Sequence, residues 1–360
     1  MVANKTRDVS GVIGQECGDN WQLYHGDSCQ VLKDLPDDSI DFCIHSPPFS
    51  NLYIYSDSEA DLGNCASDDE FIEHFSFIIG ELFRVTVTGR LCAVHCKDLP
   101  KYANRDDTAG LKDFPGQIIR AFESHKWSYH SRITIWKCPV VERERTNNNG
   151  LLHKTVLRDR SQIRQGMADY LLVFRKPPIG TLMSDKPVVR HVNKLQPDLS
   201  VVKEPIGFTQ YIGEHNPLMD DGHPSPFART NLSGRNSIDI WRRYAEPVWW
   251  DVDQMDVLNY RLGRGQNDER HICPLQLGLI ERAVELWTNE GDVVLTPFAG
   301  VGSELVGSLR QNRKAIGIEL KAEYYQQAIA NCQAAERIAR DLRQPDFFPD
   351  QDAEYAESEE

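Results

Sequence analysis

Three observations point to an α/β protein built on a doubly wound, mainly parallel sheet with an antiparallel hairpin and an inserted region. The apolar runs Ile40 to Ile44 and Val293 to Leu295 each stop at a tight loop, Ser46-Pro47-Pro48-Phe49 and Phe298-Ala299-Gly300-Val301-Gly302-Ser303. Runs of this kind alternate with segments of helical periodicity, the pattern of parallel strands covered on both faces. Trp127 to Trp136 alternates in polarity and Tyr170 to Phe174 forms a second apolar strand, so these two read as a nearby pair. In open sheets ligands bind just beyond strand ends. Two such loops imply a cofactor facing a substrate.

In chain order, Trp21 to Ile44 reads as strand, turn, helix and strand, with Gly26-Asp27 closing the first strand. Asp68 to Val85 is an amphipathic helix. Asp68 and Asp69 favour its N-terminus, and Phe71, Phe75, Ile78, Ile79 and Leu82 recur at helical spacing. Gly89-Arg90 leads into a strand from Leu91 to His95, and Phe114 to Ser124 is helical. Residues 138–168 make a polar, basic excursion longer than a hairpin needs, and such loops are more often functional than structural. From Pro177 to Asp268 the pattern dissolves into Pro, Gly, Asn and charge around isolated aromatics (Tyr211, Trp241, Trp249, Trp250), an irregular insertion with few regular elements. Order returns at His271. Leu275 to Trp287 is a helix, Asp292 to Thr296 a strand, Glu304 to Gln311 a helix, and Ala315 to Ile318 a strand ending at Glu319. A last helix carries Tyr324, Ala328 and Cys332 on one face. The expected organisation is an extension over 1–20, a first half over 21–176, the insert over 177–268, a second half over 269–340 and an acidic, disordered tail over 341–360.

With 360 residues, 40% hydrophobic and 26% charged, the chain can bury a full core and carry a second lobe. No apolar run approaches the roughly 18 residues that span a bilayer, and the polar start lacks the hydrophobic segment of a secretory signal. Nine cysteines occur without a CxxC pair, several (Cys43, Cys92, Cys273) in apolar surroundings, which suits reduced, buried thiols of a cytosolic protein. Cys92, His95 and Cys96 invite a metal reading, but Leu91-Cys92-Ala93-Val94 reads as a core strand.

The net charge of −14 is unevenly spread. Residues 341–360 hold eight acids and one base; residues 131–176 hold ten Lys or Arg against four acids. Arg143, Arg145, Lys154, Arg158, Arg160 and Arg164 in the basic segment suit a phosphate-facing surface or, equally, a salt-bridged exposed face.

Strand, Gly300-Val301-Gly302, helix, strand and Glu319 form a nucleoside-binding pattern. Glycines let the backbone approach the ligand, and an acid at the next strand tip can accept from both ribose hydroxyls. Glu319 lies nineteen residues beyond Gly300, against an expected interval of roughly 20. The missing third glycine leans away from a dinucleotide. At the other loop, Pro47 and Pro48 lack backbone donors, so rigid carbonyls can face a ligand. Ser46 adds a hydroxyl and Phe49 an aromatic face, a set suited to a planar ring with an exocyclic amino group. The bland alternatives are an ordinary strand-to-helix turn and a Pro-Pro turn with Phe49 in the core.

Together these motifs resemble the amino-group DNA methyltransferases (N4-cytosine and N6-adenine) in the circular permutation that places the catalytic motif first, the β arrangement. The resemblance covers most of residues 21–335. Ser46-Pro47-Pro48-Phe49 matches the catalytic tetrapeptide. Asp27 matches the acid near the cofactor adenine, and His271, Pro274 and Leu275 the methionine-side segment. Phe298, Gly300 and Gly302 match the glycine loop and Glu319 the ribose acid. Ser303 can cap the following helix and bond a ligand oxygen. Thr296 departs from the pattern, standing where the family usually has Asp; a neutral hydroxyl gives no charge-assisted contact to the methionine end.

The resemblance implies a Rossmann-like, S-adenosylmethionine-dependent fold. It further implies methyl transfer from S-adenosyl-L-methionine to the exocyclic amine of a base flipped out of double-stranded DNA. A Ser at the head of the tetrapeptide is associated mainly with N4-cytosine, Asp or Asn with N6-adenine. The insert is the expected target-recognition region, where Arg229, Asn231, Arg235 and Asn236 can read base edges; its alternative is a lid packing Trp249-Trp250 on the core. A cognate restriction endonuclease, a monomer or homodimer, a cytoplasmic bacterial or phage setting and no membrane association complete the expectation. The rivals are an RNA or protein-glutamine methyltransferase, a non-catalytic DNA-binding relative and a dehydrogenase.

Overall fold

The computed structural model describes residues 11–48, 62, 65, 67–101, 108–146, 151–177, 190–195, 201–206, 244–259 and 274–341, with the backbone alone at 145–146, 190–195, 201–206 and 341. A nine-stranded sheet organises them. Its strands are β1 (Val12–Cys17), β2 (Trp21–Gly26), β3 (Ile40–His45), β4 (Thr86–Lys97), β7 (Ser128–Ile135), β8 (Asp169–Arg175), β11 (Val248–Trp249), β12 (Val293–Thr296) and β13 (Lys314–Glu319). The spatial order is β1-β2-β13-β12-β3-β4-β8-β7-β11. Strands β2, β13, β12, β3 and β4 run parallel; β8 enters antiparallel between β4 and β7, and β1 pairs antiparallel at one edge.

The helices are α1 (Ser28–Asp34), α2 (Asp68–Val85), α3 (Phe114–Ser124), α4 (Pro139–Thr146), α5 (His153–Arg158), α6 (Leu277–Trp287), α7 (Ser303–Arg310) and α8 (Ala322–Asp341). Two short ladders are not hydrogen-bonded into the large sheet, β5 (Leu99–Lys101) with β6 (Gly110–Lys112) and β9 (Arg190–Leu195) with β10 (Val201–Ile206). None of the helices among the described residues is long and apolar enough to cross a membrane.

Strand alternation divides the core. Residues such as Cys43, Cys92, Val94, Phe174 and Leu295 face α1, α2 and α3, where Phe71, Phe75, Phe114 and Phe122 are fully buried. Phe42, Ile44, Ala93, Leu171, Ile135 and Val294 face α6 and Trp249. The helix predicted over 68–85 is present to both ends. Its start is fixed by Ser67, whose Oγ accepts from Glu70 N at 3.1 Å. The strand expected over 91–95 is longer, beginning at Thr86. The expected pairing of β7 with β8 is present, and β8 also pairs with β4.

Two differences concern edges. Residues 12–17, expected to precede the folded region, add strand β1 to the sheet. The insert, expected to be largely irregular, contributes the β9–β10 hairpin and returns as β11 beside β7. Trp249 is fully buried there while Trp250 is exposed. Arg282 of α6 lies over the rings of Trp249 (4.9 Å) and Tyr244 (5.4 Å) and pairs with Asp251 at 2.9 Å, so this end of the insert is clamped to the core.

A buried cluster fixes the neighbourhood of β12, β3 and β4. Arg90 pairs with Asp41 (3.4 Å) and Asp292 (3.5 Å), and Asp41 accepts from Val293 N at 3.0 Å. Removing one partner of such a buried set costs about 3–5 kcal/mol. The chain leaves β12 through α7 to β13 on one side and leaves β3 through α2 to β4 on the other. The carboxyl ends of β12 and β3 therefore flank the topological switch point, where open α/β sheets bind ligands.

Candidate active site

The two loops singled out in the sequence, about 250 positions apart, leave adjacent parallel strands, since Val294 and Leu295 pair with Phe42 and Cys43. Phe298 joins them: its ring lies 5.7 Å from His45 and 6.1 Å from Phe75. On the outer side Ser28 Oγ donates to the Pro297 carbonyl at 2.5 Å, tying the start of α1 to the same loop. Asp27, beside it, is half-buried and caps α1 by accepting from Cys29 N at 3.0 Å.

The glycine loop is shaped by backbone that only glycine adopts readily. Gly300 (φ +53°) and Gly302 (φ +88°) are left-handed. A Cβ at Gly300 would meet nothing within 4 Å, so this glycine faces open space. A Cβ at Gly302 would lie 3.2 Å from Ala328 Cβ, so that glycine lets α8 pack closely. Glu319 closes the loop from the neighbouring strand: its Oε2 accepts from Gly300 N at 2.7 Å and its Oε1 from Lys321 N at 2.8 Å.

Thr296 Oγ1 and Ser303 Oγ, on residues only 1% and 2% exposed, have no partner among the described groups, and neither has Gln276 Oε1. Gln276 opens α6, where Leu277 packs with Ala299 and Leu305. Buried polar atoms are ordinarily bonded, so three orphaned oxygens around one loop mark a place where a polar ligand fits. Ser303 does not cap α7; the N-cap is Gly302, without a side-chain bond. Glu304, next to it, is buried, and burial first, then the charge of Glu319, pushes its carboxyl up to about 8. Gln276 and Glu304 escaped sequence reasoning, although Glu304 occupies the first turn after the glycines. Pro274 is half-buried just before α6.

At the facing loop Ser46 is half-buried, Pro47 buried and Pro48 half-buried. Ser46 Oγ lies 3.3 Å from His95 Nδ1 and 3.3 Å from the His95 carbonyl. His95 Nε2 lies 3.1 Å from Asp169 Oδ2, which also meets Lys137 Nζ at 2.6 Å. Cys92, His95 and Cys96 lie in the buried strand β4, where alternation points both cysteines to the α2 side and His95 to the other. The ligand-capable atoms of Cys43, His45 and Cys92 do lie within 4.8 Å of one another. Burial, with Cys92 adding, pushes the Cys43 thiol well up.

The basic excursion leaves the sheet between the end of β7 and the start of β8, the same end as Ser46. Lys154, Arg158, Arg160 and Arg164 are exposed, and Arg143 on α4 is half-buried. Phe49, His271, Arg229 and Arg235 lie outside the described residues, as does the Arg145 side chain, along with Tyr211, Trp241, Asn231, Asn236, Cys273 and the acidic tail beyond Asp341.

A glycine loop and an acid on consecutive strand tips, facing a Pro-Pro loop across the switch point, define a Rossmann-like α/β protein of the methyltransferase type. The chain belongs to the DNA methylase family, whose model matches residues 40–330. Type II methyltransferase M.BamHI of Bacillus amyloliquefaciens is 21% identical over 302 residues, 83% of this chain and 54% of that protein. Type II methyltransferase M.SfiI of Streptomyces fimbriatus is 31% identical over 145 residues, 37% of this chain and 34% of that one. The chain thus spans about half the length of M.BamHI. Among solved structures, TTHA0409 of Thermus thermophilus, assigned as a DNA modification methylase and complexed with S-adenosyl-L-methionine, matches with TM-score 0.54 and 18% identity over 88% of this chain and 96% of that one. The PvuII DNA methyltransferase (cytosine-N4-specific) matches with TM-score 0.52 and 14% identity over 90% and 92%. These two likenesses are likenesses of fold.

Proposed function

We propose that this protein methylates double-stranded DNA, moving a methyl group from S-adenosyl-L-methionine to the exocyclic amine of a flipped base, with N4 of cytosine preferred. The observation that carries the reading is the juxtaposition across the switch point. On one side stand the glycine loop, Glu319 and the orphaned oxygens of Thr296, Ser303 and Gln276. On the other stands a half-buried serine hydroxyl followed by two prolines. The names of the type II relatives and of the complexed thermophilic protein agree with it.

The residues divide the work. Glu319 would hold the ribose and Asp27 the adenine side, while Thr296, Ser303, Gln276 and Pro274 border the methionine end. S-adenosylmethionine supplies an electrophilic methyl on a sulfonium. An exocyclic amine is a poor nucleophile because its lone pair is delocalised into the ring. Ser46 Oγ and the Pro47 carbonyl, by accepting both amino hydrogens, localise that lone pair, so catalysis comes from preorganised acceptors and alignment. The base stacks on Phe49. The exposed Lys154, Arg158, Arg160 and Arg164, with Arg143 and Arg145, take DNA phosphates, and the segment 177–268, with Arg229 and Arg235, reads the target sequence. The cytosine preference rests on Ser46 at the head of the tetrapeptide. A cytoplasmic setting and a cognate restriction endonuclease fit the type II relatives.

The test is mass spectrometry of nucleosides after incubating the protein with S-adenosylmethionine and unmethylated DNA of varied sequence. N4-methylcytosine is expected. N6-methyladenine keeps the activity and overturns the base preference. Failure to modify any DNA, with methyl transfer to RNA, overturns the substrate class. Failure on both favours the non-catalytic relative that Thr296 suggests.

A further inference from the structure

Side-chain alternation places four polar residues in one row across four strands of the sheet. Ser46 follows Phe42 and Ile44 on the α6 side of β3, and His95 follows Ala93 on β4. Asp169 precedes Leu171 on β8, and Lys137 follows Ile133 and Ile135 at the end of β7. The row is continuous in contact: Ser46 Oγ to His95 Nδ1 at 3.3 Å, His95 Nε2 to Asp169 Oδ2 at 3.1 Å, Asp169 Oδ2 to Lys137 Nζ at 2.6 Å. His95 and Asp169 are each 7% exposed. An apolar pair would fill this space without a desolvation cost, so the buried polar chain calls for a reason.

The chemistry fixes the direction of the protons. Burial alone would raise the Asp169 carboxyl. The hydrogen bond from His95, with the charges of Lys137 and Lys97, outweighs it and holds the group well below the usual carboxylate range. An ionised carboxylate only accepts, so His95 Nε2 carries the hydrogen and, in the neutral ring, Nδ1 is an acceptor. Both acceptors near the Ser46 hydroxyl, Nδ1 and the backbone carbonyl, belong to His95. With its hydrogen turned inward, Ser46 Oγ presents lone pairs outward, the orientation needed to accept from a substrate amine.

We infer that His95, oriented by Asp169 and Lys137, sets the proton arrangement of Ser46 and receives the proton that methyl transfer releases. The inference rests on the proposed activity at Ser46. As the N–C bond forms and the S–C bond breaks, the sulfonium becomes a neutral thioether and the amine nitrogen becomes cationic. The amine then loses one proton to Ser46 Oγ while the Ser46 hydroxyl proton passes to His95 Nδ1. The product is a neutral methylated amine, a neutral serine and an imidazolium paired with Asp169, which returns its proton to water. His95, Asp169 and Lys137 are positioning residues, acting through Ser46. The charged groups facing the imidazole are Asp169 from β8 and Lys137 beyond β7, with Lys97 of β4 behind them.

Two measurements test this. Nitrogen-15 NMR of histidine rings in the free protein should show His95 as the Nε2–H tautomer, with an Nδ1 resonance that moves in Ser46→Ala; an Nδ1–H tautomer overturns the inference whatever the activity. Single-turnover methylation by the full chain across pH should show an acid limb in the wild type. His95→Gln should remove that limb and slow the step about 100-fold, the usual scale of acid–base assistance, with S-adenosylmethionine affinity unchanged. Asp169→Asn, which favours the opposite tautomer at nearly equal volume, should slow the same step, and this holds even if His95→Gln folds poorly. A wild type that methylates, with both variants matching it at every pH, overturns this inference alone. A wild type that methylates no DNA overturns the activity beneath it.

Discussion

Gly300 and Glu319, nineteen positions apart on neighbouring strand tips, are hydrogen-bonded to each other: the Gly300 N–H donates to Glu319 Oε2 at 2.7 Å. With Lys321 N on the other oxygen at 2.8 Å, one carboxylate gathers two backbone donors and holds the glycine loop in its left-handed turn. The acid that the sequence suggests as a ribose ligand is therefore also a brace. A glutamine there has a single carbonyl oxygen and can satisfy only one donor. Glu319→Gln should destabilise the free protein by about 1–3 kcal/mol, the cost of an unsatisfied buried donor. It should also weaken S-adenosylmethionine binding by about tenfold or more, the scale of a lost charge-assisted bond. Calorimetric titration and thermal melting read the two effects; unchanged affinity would remove Glu319 from the cofactor site while leaving the brace.

Thr296 is 1% exposed with an unpartnered Oγ1, at the position where the sequence resemblance implies an Asp. An aspartate would be costly in the free protein, because a buried carboxylate lacks solvation, and favourable if the cationic methionine end lies beside it as proposed. Thr296→Asp should lower the melting temperature of the free protein yet tighten S-adenosylmethionine binding roughly tenfold, the scale of one charge-assisted hydrogen bond. The larger thermal shift on adding cofactor is the simplest readout. A folded variant with unaltered affinity would place the methionine end elsewhere.

Legibility of the molecule follows the range of the interactions. Helix α2 was readable to both ends because its signals are local: apolar residues at helical spacing and acids in the first turn. Glycine loop, Pro-Pro loop and Glu319 were readable because each occupies a strand end. The Ser46–His95–Asp169 chain was not, since His95 and Asp169 are 74 positions apart and meet only because β8 inserts antiparallel between β4 and β7. One signal was present: along β4, His95 has the opposite parity to Cys92 and Cys96, which already separates it from those thiols. Strand β1 escaped notice because its alternation is half-exposed at a sheet edge and Gly14 interrupts it.

Glu304 gives the free protein a distinctive pH dependence. Burial and the Glu319 charge raise its folded-state value from 4.5 to about 8. Between those values the folded protein keeps a proton that the unfolded chain has lost. Raising the pH from 4.5 through 8 therefore favours unfolding, and below 4.5 the group makes no difference. Glu304→Gln, which cannot ionise, should match the wild type near pH 4.5 and exceed its stability at pH 8 by roughly 2–4 kcal/mol. Urea unfolding at the two pH values checks this; an equal difference at both would show that the carboxyl is already ionised in the folded protein.

The basic excursion between β7 and β8 allows a quantitative test of the proposed DNA surface. Lys154, Arg158, Arg160 and Arg164 are exposed on the excursion, which leaves and rejoins the sheet at the same end as Ser46, and none joins an ion pair among the described residues, which favours a phosphate-facing surface over a salt-bridged face. Contacts to phosphate release counterions, so each one adds about 0.9 to the slope of log affinity against log salt. Replacing Arg158 and Arg164 together by Gln should reduce that slope by about 2 and weaken binding equally on every DNA sequence. Exposed charges away from the core leave folding intact, so the melting temperature should stay within a degree or so. Fluorescence anisotropy with a labelled duplex, titrated at several salt concentrations, measures the slope directly. A loss confined to one sequence would instead make these arginines readers of base edges, and an unchanged slope would move the phosphate track to another face of the protein.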